Sequence, residues 1–216
     1  MIDPLERKAR TEERLQALGI SINPHLPAIE SIDQARFRSP QEVARRAVLL
    51  LAVAALAFGK EGDPLVEWLH REGLMQHASK QEREFFEDPE RFEELGQQLS
   101  WRVEALMVLA WALCLLDDLG LPEEQCSAAD LFPHLPAFGE STADFIASAK
   151  LRDGEELLDF SDLIYRAHWA ARDARIGNGA NPGPIDISIC MEWHHAINWI
   201  TCADDEDDWD RVPTST

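Results

Sequence analysis

Residues 100–116 read SWRVEALMVLAWALCLL, and the fold prediction starts from this segment. From Ala105 to Leu116 it has no charged or strongly polar side chain, so a helix here is apolar on every face and must be surrounded by protein or lipid. A run of about twelve residues is too short to cross a bilayer, which needs roughly twenty. We therefore predict a buried central helix over 105–116, with Ser100 as a plausible cap and with Arg102 and Glu104 at its entrance.

A second apolar segment carries the signals of a complete helix. Ser39 is a good N-cap, a proline follows at the first helical position, and Glu42 completes a capping box. The helix is expected to end at Gly59. Its half over 47–58 lacks polar side chains, so we expect it to pack against 105–116, with both segments almost fully buried.

The remaining segments complete a prediction of one all-α domain over residues 1–216, an irregular helical bundle around the two buried helices. Residues 1–37 are read as an N-terminal helix and an extended arm, and residues 203–216 as an acidic C-terminal tail. No alternating strand pattern, internal repeat or linker between two cores is found. The other predicted helices cover residues 4–18, 63–70, 79–87, 89–99, 141–150, 155–175 and 185–202, with long loops over 120–139 and 177–184.

The composition narrows the function classes. Forty acidic residues against twenty basic ones give a net charge of -20 and a pI near 4.6, which argues against nucleic acid or an anionic membrane as partner and would attract a basic protein. The four cysteines form no CxxC pair, so neither disulfides nor zinc are expected. The N-terminus, MIDPLERK, lacks the apolar region of a signal peptide, which predicts a cytoplasmic protein.

Charged residues at the starts of the apolar helices form the main candidate site. Glu42 with Arg46, and Asp162 with Arg166, have the spacing of four residues that predicts intrahelical ion pairs. Such pairs are worth little when exposed but matter when buried. If the helix starts meet, the charges form either a structural network or a pocket for a small anion or substrate. In the second case Arg102 and Arg166 would bind the ligand and Glu104 would act as an acid or base. The candidate residues are Glu42, Arg46, Arg102, Glu104, Asp162, Arg166, His168 and Glu192.

Two Glu-x-x-His motifs raise the alternative of a metal site. Glu67 with His70, and Glu192 with His195, each place a carboxylate and an imidazole on one helix face, as in di-iron bundles. Glutamate is so frequent in this chain that nearly one such motif is expected by chance and two are unremarkable, and the helix over 63–70 looks too short for a bundle site. The two further ligands would have to come from Glu42 and Glu104.

His168 offers a second metal alternative, with His194 or His195 and with Glu192 as a third ligand. Ordinary hydrogen bonding in the core is the preferred interpretation, because His168 stands beside Trp169 in an apolar stretch. We find no assembled catalytic set and no phosphate-binding glycine motif, and we predict no cofactor.

Several sequence blocks together resemble an uncharacterised bacterial family, domain of unknown function 4272. They occur in the same order over nearly the whole chain, and the resemblance implies no activity, because none is established for the family. Trp193 stands where the family pattern leads us to expect a basic residue, and Ser215 where it leads us to expect an acidic one. The blocks are RSPQEVARR at 38–46, WRVEA at 101–105, WAL at 111–113, RAHWA at 166–170, Glu192 with Ala196, Asn198-Trp199 and Trp209-Asp210.

The sequence alone favours a non-catalytic, acidic interaction protein that binds a basic protein partner, by analogy with immunity proteins that neutralise toxins. The acidic tail would supply the contact surface, with Trp209 as an anchor. The alternative is an enzyme or small-ligand-binding domain that uses the Arg/Glu/His pocket, with or without a metal. The predicted partner-binding residues are Asp204, Asp205, Asp207, Asp208 and Trp209.

Overall fold

The computed structural model describes residues 2–216, except for the side chain of Pro89, and within that range the chain is helical and contains no strand. The all-α prediction is confirmed. Four short 3-10 turns, at 75–77, 132–134, 203–205 and 209–211, join or follow the helices. The helices are α1 (Pro4–Ala17), α2 (Pro40–Ala57), α3 (Gly62–Arg71), α4 (Lys80–Glu87), α5 (Pro89–Ser100), α6 (Arg102–Ala112), α7 (Ala128–Leu131), α8 (Ala143–Ser148), α9 (Gly154–Arg175) and α10 (Ile187–Ile200).

Helix α6 lies at the centre of the molecule, between α2 and α10. Helix α9 packs against α10, and α1 covers α9, while α3, α5 and α8 pack on α2. Leu51 of α2 and Leu109 of α6 belong to one continuous apolar core, and both are buried. The predicted contact between the two apolar helices is therefore confirmed.

The start of α2 follows the capping-box prediction. Ser39 Oγ accepts the Glu42 N–H at 3.3 Å, and Glu42 Oε2 accepts the Ser39 N–H at 2.9 Å, so two donors that the first turn leaves unpaired are satisfied. At the other end, Gly59 adopts a φ of +92° just past the helix, a conformation that favours glycine. Phe58 is 60% exposed, so the prediction of burial is wrong at this end of the segment.

The central helix ends earlier than predicted, and its start is not capped as predicted. Ser100 is the last residue of α5 rather than the cap of α6, and α6 ends at Ala112. Cys114 then has a φ of +60° and is exposed, and Leu115 and Leu116 are only half-buried. The helix prediction is wrong over 113–116, and the prediction of near-complete burial is wrong over 114–116, whereas Leu113 is buried as predicted.

Arg152 explains why α6 ends early. Its backbone N–H donates to the Ala112 carbonyl at 2.9 Å, and its guanidinium donates to the carbonyls of Trp111, Leu116 and Asp117. The last carbonyls of a helix need partners, which a further helical turn would otherwise supply. Because a distant arginine supplies them here, the apolar run can leave the helix after Ala112.

The predicted loop and tail are more ordered than expected. Helix α7 and the turn at 132–134 lie within the loop predicted over 120–139. The tail over 203–216 contains two 3-10 turns and packs on the core through Trp209, which is 2% exposed. None of the helices in the described part of the chain is long and apolar enough to span a membrane.

Candidate functional site

Arg46 of α2 forms a buried ion pair with Glu82 of α4. Its Nη1 donates to both carboxylate oxygens, at 2.6 and 2.8 Å, and its Nη2 donates to the His77 carbonyl at 2.9 Å. The predicted pair between Glu42 and Arg46 is therefore wrong, since the Glu42 carboxylate caps α2 instead. Sequence reasoning missed Glu82, although Ser79, three residues earlier, forms a capping box with it.

Arg102 of α6 pairs with Glu192 of α10, with 2.9 Å between Nη1 and Oε2 and with both side chains buried. The prediction that charges at the helix starts meet opposite charges from other helices is therefore confirmed for Arg102. It is wrong for Glu104, which has no ion pair among the described residues. Its Oε1 accepts the Cys126 backbone N–H at 2.8 Å and its Oε2 accepts Trp193 Nε1–H at 3.2 Å, both neutral donors.

Glu104 is fully buried, and burial raises the pKa of its carboxyl against the opposing effect of the two hydrogen bonds. Trp193 supplies one of those bonds at the position where the family resemblance suggested a basic residue. A neutral donor there satisfies the carboxylate oxygen without placing a second charge in the core.

Arg166 and Asp162 form the predicted pair along α9, with a shortest distance of 2.8 Å. Arg166 also donates to the Pro27 carbonyl at 2.9 Å and lies 3.5 Å from Glu12 of α1, so it ties α1 and the N-terminal arm to α9. Arg102 binds α10 instead. The two arginines predicted to share a pocket therefore serve different contacts.

Trp209 lies inside the protein and contacts both helix-start arginines. The guanidinium carbons of Arg46 and Arg102 stand 4.8 and 5.6 Å from the centre of its ring. The ring also packs edge-on against His195 at 4.5 Å and Trp199 at 5.4 Å. The prediction of Trp209 as an exposed anchor for a partner is wrong, because cation–π and aromatic contacts hold it in the core.

The acidic residues around Trp209 remain outside. Asp204, Asp205 and Asp208 are exposed, as is most of the Asp207 side chain. Asp205 pairs with Arg36 at 2.6 Å and Asp207 with Arg38 at 2.8 Å. These pairs fasten the tail to the body of the protein, and a partner-binding role of the four aspartates stays a prediction.

Four nitrogens around Trp209 are buried without a hydrogen-bond partner among the residues that the structure describes. Leaving such a group unpaired costs about 1–3 kcal/mol, and more for a charged one, so native structures rarely do so. Their concentration around one ring marks the region as the strongest candidate for a ligand site. The four are Arg46 Nε, Arg102 Nε, His195 Nε2 and Trp209 Nε1.

Three histidines near this region are held in the neutral form. His168 and His194 share a hydrogen bond between their Nδ1 atoms at 2.9 Å, and burial lowers their pKa values to about 4 and about 3. Burial, helped by Arg102 and Arg46, lowers the pKa of His195 to about 3. No group of three or more His, Cys, Asp or Glu side chains is suited to a metal ion anywhere in residues 2–216.

Two adjoining cavities open along one side of α10, and we call them together the α10 groove. The narrow cavity, of about 250 Å³, is lined by Arg102, Glu192 and His195, with Trp101 beside them. The wide cavity, of about 450 Å³, is lined by His168, Arg172 and Arg175 among others. The two share Ser188, Met191 and Thr214 in their walls.

Another cavity, of about 270 Å³, lies near the end of α6 and has less to offer a ligand. Two of the charged groups in its wall already bind protein. Arg152 donates to three backbone carbonyls, and Asp159 pairs with Arg7 and Arg10. Of the α10 groove and this cavity, only the groove is lined by residues with buried polar atoms that lack a hydrogen-bond partner.

Comparison with known families gives one match. A family model described as "Domain of unknown function (DUF4272)" matches residues 7–212, nearly the whole chain. No curated protein matches the chain. No solved structure matches it.

Proposed function

We propose that this chain, which belongs to the DUF4272 family, binds a small polar ligand in the α10 groove. One observation carries the proposal: Arg102 Nε and His195 Nε2, on residues that line the narrow cavity, are buried and have no hydrogen-bond partner in the described part of the chain. Arg102 is 7% exposed and His195 is 8% exposed, so both side chains are fixed before a ligand arrives. A ligand that pairs with both atoms would remove the cost of leaving them unpaired.

The size and lining of the groove support this proposal. Sites for small molecules have volumes of about 300–1,000 Å³ and combine apolar walls with a few fixed polar groups. The two cavities fall near that range, and Trp101 and Met191 give apolar surface beside Arg102 and Glu192. The polar groups are also preorganised, because the Arg102–Glu192 pair joins α6 to α10.

Binding fits the groove better than catalysis does. General bases work best when their pKa lies near the operating pH, and burial moves the pKa values of His168 and His195 far below it. Glu104, whose raised pKa suits an acid, has both carboxylate oxygens occupied by Cys126 and Trp193. A binding role requires none of these groups to exchange a proton.

A fragment screen by ligand-observed NMR tests the proposal, with sugars, sugar phosphates, hydroxy acids and amino acids as probes. Met191 lines both cavities and is 45% exposed, so Met191→Trp fills the groove without entering the core. Leu5→Trp, at a 68% exposed position on α1, is the matched control. We expect fragments that bind the parent and Leu5→Trp but not Met191→Trp. A screen without such fragments would refute the proposal.

A second candidate function is recognition of a basic, toxin-like protein through the acidic surface. The observation that favours it is the placement of the charges. Four buried arginines are matched by four buried carboxylates, so the buried charges cancel and the net charge of -20 lies outside the core. Such a surface would accelerate association with a basic partner at low salt. In this candidate the exposed aspartates make the contact without Trp209.

A pull-down at low salt from the native host would test this candidate, with the parent protein beside a variant in which Asp204, Asp205, Asp207 and Asp208 are changed to Asn. A basic protein retained by the parent and lost by the variant is the expected result. Equal retention would leave the tail without a recognition role. We further propose that both candidate functions belong to the bacterial cytoplasm, and the four free cysteines, which are typical of a reducing compartment, support this.

A further inference from the structure

We infer that the ligand of the α10 groove carries an anionic group at one end and a hydroxyl group at the other, as sugar phosphates and sugar acids do. The inference rests on the proposed function and names the ligand class. The anionic group would lie in the wide cavity, between Arg172 and Arg175. The hydroxyl group would lie in the narrow cavity, against His195.

The wide cavity is cationic in a strongly acidic protein. Arg172 and Arg175 line it, and no carboxylate side chain does. Arg172 Nη1 donates to the Thr216 carbonyl at 3.4 Å, and the Arg175 guanidinium has no partner among the described residues. Arginine binds phosphate and carboxylate groups through paired N–H donors, and a cleft with charge of one sign concentrates ions of the other.

The narrow cavity carries no net charge. The positive charge of Arg102 is compensated by Glu192, which pairs with it at 2.9 Å. His195 is neutral at physiological pH because burial lowers its pKa. A ligand group bound here would therefore meet the smallest electrostatic penalty if it is itself neutral.

His195 also fixes the kind of neutral group that fits. A hydrogen bond between the His195 ring and the Trp209 backbone raises the pKa of the ring, as a bond does when the ring N–H is the donor. Nε2 has no partner among the described residues, so the nitrogen that donates in this bond is Nδ1. In the neutral ring Nε2 then holds a lone pair and needs a donor. A hydroxyl group can donate to Nε2, and Arg102 Nε–H is a second unpaired donor on a residue of the same wall, which a hydroxyl oxygen could accept.

The two ends lie within reach of one molecule. Ser188, Met191 and Thr214 belong to the walls of both cavities, so the groove is continuous. Met191 offers an apolar surface between the cationic and the neutral end. A compact polyol with one acidic end group matches this order of surfaces.

Isothermal titration calorimetry with four probes tests the inference: glucose 6-phosphate, gluconate, glucose and inorganic phosphate. We expect glucose 6-phosphate or gluconate to bind at least about tenfold more tightly than both glucose and phosphate, because a charge-assisted contact is added to a hydroxyl contact. The better of the two identifies the anion as a phosphate ester or a carboxylate.

A charge-matched pair of variants locates the anion. Arg172→Gln with Arg175→Gln should weaken binding of the anionic probe about tenfold and leave glucose binding unchanged. Arg14→Gln with Arg83→Gln removes the same charge at exposed positions and should change neither. Equal losses in both double variants would overturn the inference, because they would show only a general charge effect.

An NMR measurement on the unmutated protein tests the hydroxyl contact without any risk of misfolding. With ¹⁵N-labelled histidine, the Nε2 resonance of His195 should shift towards a hydrogen-bonded value when the probe binds, while His70 on the exposed face of α3 stays unchanged. Absence of a His195 shift at saturation would overturn the placement of the hydroxyl group.

The inference and the proposed function can fail separately. If neutral fragments bind the groove in a Met191→Trp-sensitive manner while the anionic probes gain nothing from their charge, only the ligand class is wrong. If no probe or fragment binds in that manner, the proposed function fails and this inference fails with it.

Discussion

The two main contacts of α6, with α2 and with α10, are both buried but are built differently. Towards α2 the facing segments are apolar, as Leu51 and Leu109 show. Towards α10 the contact includes the Arg102–Glu192 pair and the Glu104 carboxylate. An apolar side chain can pack against any neighbour of suitable shape, whereas a buried charge requires a particular partner atom. Substitutions should therefore be tolerated differently on the two sides.

The largest effect is expected from the buried polar contacts. Glu82→Ala would leave Arg46 buried without its counter-charge, and we expect a loss of about 3–5 kcal/mol in the free energy of unfolding. Urea unfolding followed by circular dichroism would measure it. Glu84→Ala, which breaks more exposed pairs on the same helix, should cost no more than about 1 kcal/mol.

Replacing the whole pair distinguishes a stranded charge from lost packing. The double variant Arg46→Met with Glu82→Leu should recover most of the stability lost in Glu82→Ala, since well-packed apolar residues often replace a buried pair without cost. If the double variant is as unstable as Glu82→Ala, stranding of Arg46 is not the cause of the loss.

The apolar contact should respond to volume instead. Leu109 is 0% exposed, so Leu109→Ala should cost about 2–5 kcal/mol through lost burial and a cavity. Leu109→Met preserves the volume and should cost less than about 1.5 kcal/mol. Leu5→Ala on α1 is the exposed control, with an expected change within about 0.5 kcal/mol. Urea midpoints that do not distinguish Leu109→Ala from Leu5→Ala would contradict the central position of α6.

A pH series addresses the neutral histidines of the polar side. Histidine in the unfolded chain titrates near 6.5, whereas burial lowers the pKa values of His168 and His194 in the folded protein to about 4 and about 3. The unfolded state therefore binds more protons as the pH falls below about 6.5. Stability should be highest above that pH and fall towards pH 4, by up to about 1.4 kcal/mol per pH unit for each histidine.

His194→Gln removes one of these titrating groups. Between pH 6.5 and 4.5 its unfolding free energy should decrease less steeply than that of the parent, by about one histidine's share. Urea unfolding at each pH gives the slope. His70→Gln, at an exposed position on α3, is the control, and an equally large change of slope there would contradict the assignment.

The smallest effect is expected from an exposed ion pair of the tail. Arg36 and Asp205 lie 2.6 Å apart, as close as Arg46 and Glu82, but both side chains are mostly in solvent. Asp205→Asn should therefore change the unfolding free energy by no more than about 0.5 kcal/mol in a urea titration. A loss comparable to that of Glu82→Ala would show that burial does not separate the two pairs.

The difference between apolar contacts and buried charge pairs also explains which parts of the molecule could be predicted from the sequence. The apolar runs of α2 and α6 identified the centre, because a continuous apolar run favours burial whichever residues pack against it. The Asp162–Arg166 pair was also predictable, since its spacing is local. The partners of Arg46 and Arg102 were not, because Glu82 and Glu192 come from other helices and any carboxylate of this acidic chain could have served.

Two errors have the same origin. The apolar run over 105–116 gave no indication that Arg152 binds the carbonyls near the end of α6. Trp209 lies between aspartates in the sequence and was expected at the surface. In the structure it is buried, because its ring contacts two arginines and two aromatic rings. In both cases a contact between distant residues outweighs the local pattern.

The position of Trp209 also gives the protein an order of assembly during synthesis. A ribosome releases α2 and α6 well before residue 209, so Arg46 and Arg102 emerge without the aromatic ring that they later share. The apolar contact between α2 and α6 needs nothing from the C-terminal segment and can form first. Thr214, in the wall of both cavities, arrives only after Trp209. A nascent chain can therefore form the contact between α2 and α6 before its groove is complete, and ligand affinity would appear only after Thr214 has joined the wall.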